Sequence, residues 1–115
     1  MANCSHVIVH CIDFRTQQAA RRLRRSLGVS ERDCDCVSVA GGAANLEQLE
    51  VNLSLSRRLH HSSTAILTIH EDCGAGAKLA DLYEASLIAH KLGFKVRLFV
   101  IKIDKRRWEE IPFTK

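Results

Sequence analysis

The strongest constraint on the fold is a repeated order: a short β-branched run, a loop, then a segment with helical spacing, three times over. His6 to His10 reads His-Val-Ile-Val-His and ends at Cys11, after which a helical period with Ala19, Ala20, Leu23 and Leu27 closes at Gly28. Cys34 to Val39 alternates into a second strand that breaks at Gly41 and Gly42, followed by a helix carrying Leu46, Leu49, Leu53 and Leu59. Thr64 to His70 is the third strand, Gly74 and Gly76 form its loop, and Leu79, Leu82, Ala85, Ala89 and Leu92 mark a third helix that Gly93 terminates. Phe94 to Asp104 reads as a long strand, and Lys105 to Arg107 turns it into a short last strand around Trp108 to Phe113. Strands alternating with helices at this spacing require right-handed crossovers. The expected fold class is therefore α/β, with a mostly parallel four- to five-stranded sheet and helices on both faces.

No linker or low-complexity tract interrupts the 115 residues, so residues 1–115 are expected to form one domain around one core. A hydrophobic share of 46% against 26% charged residues excludes a disordered chain. No apolar stretch approaches the roughly 20 residues that span a bilayer. Met1 to Arg15 also lacks a basic leader and a long apolar region, so a cytoplasmic location without a membrane partner is expected. The formal charge of +4 and the arginines of Arg21 to Arg25 raise the question of nucleic acid. Leu23 interrupts them within an amphipathic helix, which makes them a solvated face. Aromatic residues are only 5%, leaving few stacking platforms for bases, so no nucleic-acid partner is expected.

In parallel α/β sheets the ligand site lies beyond the carboxyl ends of the strands. Here those ends carry the loops Cys11 to Arg15, Ala40 to Ala44 and His70 to Gly76. The first offers Cys11, Asp13 and Arg15; the third offers His70, Glu71, Asp72 and Cys73. If strands one and three are neighbours, Cys11 comes close to His70 and Cys73. Two thiolates and one imidazole are a ligand set for tetrahedral Zn2+ with the fourth position open, as in catalytic sites. Thiolates favour zinc over magnesium or calcium. The five cysteines are an odd set without an export signal, which argues against a disulfide framework.

Other groupings point elsewhere. His10-Cys11 with Arg15 resembles a phosphatase loop, but that chemistry needs five residues between Cys and Arg, and here there are three. Cys34 and Cys36 fall on one face of the second strand, where a small buried hydrophobe is the commoner role. His60 and His61 end a helix and are expected to complement its negative carboxyl terminus. His6, His10 and His90 show no partner in sequence.

The loop residues resemble the signature of the β-class carbonic anhydrases: C-x-D-x-R after the first strand, standing as Cys11-Ile-Asp-Phe-Arg15, and H-x-x-C-G after the third, standing as His70-Glu-Asp-Cys-Gly74. Ala40-Gly41-Gly42 is similar to that family's glycine loop, with Val39 where Asn is usual and Phe14 where a small residue is common. The stretch before His6 is short for the helices with which family members embrace a dimer partner, and the connection after Gly74 is short too. The resemblance implies reversible hydration of carbon dioxide to bicarbonate, with Zn2+ on Cys11, His70 and Cys73 activating water. It further implies that Asp13 accepts a hydrogen bond at the reacting oxygen, while Arg15 pairs with Asp13 and holds it away from the metal. A related zinc hydrolase acting on carbon disulfide or carbonyl sulfide, and a non-catalytic zinc-binding scaffold, are the alternatives. A sheet this small leaves an edge and an apolar face uncovered, so a homodimer or larger homo-oligomer is expected.

Overall fold

The first strand, β1 (His6–Cys11), is buried from Val7 to Cys11, with Val7, Ile8 and Val9 apolar in succession, because both of its faces are covered. Val7 and Val9 enter one core cluster and Ile8 the other. We describe residues 2–113 from a computed structural model. The remaining strands are β2 (Cys34–Val39), β3 (Thr64–His70), β4 (Lys95–Lys102) and β5 (Arg107–Ile111). They form one sheet in the order β2-β1-β3-β4-β5. Only β5 runs antiparallel, pairing Leu98 with Ile111 through Lys102 with Arg107. It closes that edge with charged residues, including an Arg97–Glu110 ion pair at 2.8 Å.

Helices lie on both faces. On one, α1 (Gln17–Ser26) seats Ala20 and Leu23 against Ile8, Ile66 and Phe99. On the other, α2 (Leu46–His60) and α3 (Leu79–Lys91) bring Leu49, Leu53, Leu82, Ala85 and Ala89 onto Val7, Val9, Ala65, Leu67 and Leu98. The Asn45 side chain accepts from the Gln48 amide to start α2, and His61 ends it in the left-handed region at φ 57°. No helix among the described residues is long and apolar enough to cross a membrane.

Three sequence expectations need correction. Cys34 and Cys36 share a face, yet neither is fully buried, and Cys36 is exposed. The α1 residues Ala20 and Leu23 centre on Ile8, Ile66 and Phe99 of β1, β3 and β4, and of the two cysteines on the edge strand only Cys34 packs against that cluster. Both cysteines line a cavity of about 370 Å³ beside Ile8, His10 and Arg24. Burial still pushes the Cys34 thiol up to about 12. Arg24 leaves the solvated face of α1: it is buried, and its Nη1 donates to the Val29 carbonyl at 2.7 Å, satisfying the turn after the helix. His60 does more than complement a helix end, because its Nδ1 lies 2.8 Å from Asp35 on β2.

Candidate metal centre

The order of the strands decides what meets beyond their carboxyl ends. With β1 between β2 and β3, the last residue of β1, Cys11, comes beside the last residue of β3, His70. The loop after β3 then turns Cys73 back towards both. The ligand atoms of Cys11, His70 and Cys73 all lie within 4.8 Å of one another.

The local hydrogen bonds orient each group. His70 Nδ1 lies 2.7 Å from the Glu71 carbonyl, which can only accept, so the proton belongs on Nδ1 and Nε2 keeps its lone pair. That Nε2 is buried and has no hydrogen-bond partner. A buried polar atom left unpaired is costly, and a metal ion would satisfy this one. Two cysteine sulfurs and a bare imidazole nitrogen suit Zn2+, so the residues present fit the group. The Gly41 amide donates to Cys11 Sγ at 3.4 Å.

Asp13 and Arg15 stand beside this cluster. Arg15 grips both oxygens of Asp13, with Nη2 at 2.7 Å from Oδ2 and Nε at 3.0 Å from Oδ1. These side-chain bonds, followed by the Arg15 amide on Oδ1, hold the Asp13 carboxyl down at about 2. The same pairing raises Arg15 further, so the guanidinium stays charged. Asp13 Oδ2 is 3.9 Å from His70 Nε2, which leaves the carboxylate close to the three ligand atoms but occupied elsewhere.

Sequence reasoning missed three supports of the centre. Asp72 takes Arg15 Nη1 at 3.1 Å on its carboxylate and Nη2 at 3.1 Å on its carbonyl, so Arg15 bridges the two ligand-bearing loops. Thr16 is fully buried and donates to the carbonyls of Cys11 at 3.0 Å and Asp13 at 2.8 Å, clamping the first loop. His10 Nδ1 holds the Cys11 carbonyl at 2.9 Å. Only Thr16 left a sequence signal, a hydroxyl at the entry to α1.

Gly42 wedges the glycine loop against β1 and β3. It has φ 58°, and a Cβ there would stand 2.7 Å from the Thr68 carbonyl and 3.0 Å from the Cys11 amide. Both neighbours are backbone and cannot step aside. Gly42→Ala should therefore cost about 2–4 kcal/mol, combining left-handed strain with overpacking. A denaturant midpoint equal to that of the wild type would refute this account of the loop.

No family model matches the chain, and no curated protein matches it. Solved structures do. A carbonic anhydrase from Glaciozyma antarctica superposes with TM-score 0.72 at 17% identity, covering 97% of this chain and 85% of that one. A β-carbonic anhydrase from Trichomonas vaginalis gives 0.70 at 14% identity, covering 96% and 86%. A carbon disulfide hydrolase in its apo form gives 0.61 at 14% identity, covering 95% and 79%. With a five-stranded sheet, three helices and these neighbours, the chain has the fold of the β-carbonic anhydrases.

Proposed function

We propose that the protein is a carbonate dehydratase, catalysing the reversible hydration of carbon dioxide to bicarbonate with Zn2+ held by Cys11, His70 and Cys73. The observation that carries this reading is the buried, partnerless Nε2 of His70 within 4.8 Å of two cysteine sulfurs, on a carbonic anhydrase fold. Zinc bound there would supply the Lewis acidity that makes water nucleophilic near neutral pH.

The chain's own residues then divide the work. Asp13, ionised, accepts a hydrogen bond from the attacking oxygen and turns a lone pair towards the carbon. Because Arg15 keeps its carboxyl at about 2, Asp13 orients the nucleophile and does not store the proton. Arg15 also restrains the carboxylate from closing on the metal position. The thiols of Cys11 and Cys73, as thiolates, would balance the dication.

We propose further that a second copy of the chain completes the molecule. Ile12 and Phe14 flank Asp13 with 59% and 79% exposure, and Leu79, Tyr83 and Leu87 form an exposed stripe at four-residue spacing on α3. All five cysteines are free thiols, which fits the reducing cytoplasm.

Stopped-flow hydration of carbon dioxide by zinc-loaded protein tests the reading. Hydration above the buffer rate that disappears on chelation is expected, from a species sedimenting as a dimer or larger. Sulfide release from carbon disulfide without carbon dioxide hydration would move the assignment to the hydrolase that one structural neighbour represents. Fully loaded protein inert to both substrates would leave a zinc-binding scaffold and overturn the proposal.

A further inference from the structure

A second group of metal-ligating side chains lies at the opposite end of the sheet, beside the amino-terminal ends of the strands. Cys4 stands two residues before β1, Asp35 is the second residue of β2, and His60 is the last residue of α2. We propose that Cys4, Asp35 and His60 form a second Zn2+ site, structural in character, that staples the segment ahead of β1 to β2 and α2. Their ligand atoms lie within 4.8 Å of one another.

The geometry is more than that of an ion pair. His60 Nδ1 lies 2.9 Å and 2.8 Å from the two oxygens of Asp35, so one proton now holds nitrogen and carboxylate together. A dication can take that proton's place, because both atoms have lone pairs aimed at the shared position. Cys4 adds a thiol to the same spot. A thiolate, a carboxylate and a neutral imidazole carry two negative charges, which balance Zn2+, and the mixed sulfur, oxygen and nitrogen donors suit it.

The carboxylate is also supported from behind, as ligands in metal sites usually are. Ser56 Oγ donates to Asp35 Oδ2 at 2.6 Å and lies 2.6 Å from Ser62 Oγ, and both serines are buried. The Cys4 amide donates to the His60 carbonyl at 3.0 Å, which fixes the distance between those two residues through the backbone. All three side chains are half-buried, leaving an open side for entry and for a water as fourth ligand.

Equilibrium dialysis of the 115-residue chain against Zn2+, with metal counted per chain, separates this site from the one beyond the carboxyl ends of β1 and β3. Two equivalents are expected for the wild type and one for each of Cys4→Ser, Asp35→Asn and Cys11→Ser. Circular dichroism of each variant establishes that it is folded, and two independent substitutions keep the test valid should one misfold. With Co2+ as probe, the thiolate-to-metal absorption of the one-cysteine site should vanish in Cys4→Ser while that of the two-cysteine site remains. One equivalent that survives Cys4→Ser and disappears in Cys11→Ser overturns the second site and leaves the first. The reverse pattern supports the second and removes the first. Two equivalents retained by Cys4→Ser would also overturn the assignment.

Discussion

His70→Ala should abolish zinc retention at the Cys11 and Cys73 site and carbon dioxide hydration together, reducing the rate to that of buffer. The imidazole is buried, its Nδ1 is committed to the Glu71 carbonyl, and its Nε2 is the atom for which the protein offers no other partner. Removing it leaves two sulfurs, with the nearby Asp13 carboxylate held by Arg15. Metal counting and stopped-flow rates on the same sample check this. Cys36→Ala, on the exposed face of β2, serves as the control and should change neither quantity. A His70→Ala protein that held zinc at the Cys11 and Cys73 site, or still hydrated carbon dioxide, would remove His70 from the ligand set.

Asp13→Asn should behave in the opposite way towards metal, leaving zinc bound and the fold intact while lowering turnover on the order of a hundredfold, the usual loss for one oriented electrostatic group. The amide presents an N–H where the carboxylate presents a second acceptor, so it can neither orient the nucleophile equally nor keep both bonds from Arg15. Arg15→Ala should produce a different signature. It removes the bridge from Asp13 to Asp72 and frees the carboxylate to compete for the open metal position. Its activity should fall most at low pH, where hydroxide competes least well for that position. Equal activity of wild type and Asp13→Asn would refute the orienting role, and a pH-independent loss in Arg15→Ala would refute the restraining one.

The fold was legible because its signals are local. Glycines at 28, 41, 42, 76 and 93 all adopt positive φ, and each lies at the break that the pattern of apolar residues had marked. The strands Cys34–Val39 and Thr64–His70 begin and end where the β-branched runs do. The proximity of Cys11 to His70 was legible only through strand order, which places β1 next to β3. Most of what escaped depends on contacts across long stretches of chain. Nothing near Arg15 announces Asp72, nothing near His60 announces Asp35, and the burial of Arg24 follows from a carbonyl five residues on that the turn leaves unpaired. Edge exposure is likewise a property of the assembled sheet, and for that reason Cys36 could not be told from a core residue.

The two ends of the proposed ligand set differ in how firmly the backbone holds them. Cys11 ends a strand paired on both sides, and separating it requires parting β1 from β2 and β3, an event close to global unfolding. Cys73 lies beyond the last residue of β3, on a short loop whose Asp72 adopts φ 56°, and it can detach while the sheet stays whole. With zinc bound as proposed, exchange with a competing chelator would open through Cys73, and the lifetime of the loaded state would be governed by the fluctuations of one loop, however stable the rest of the molecule becomes.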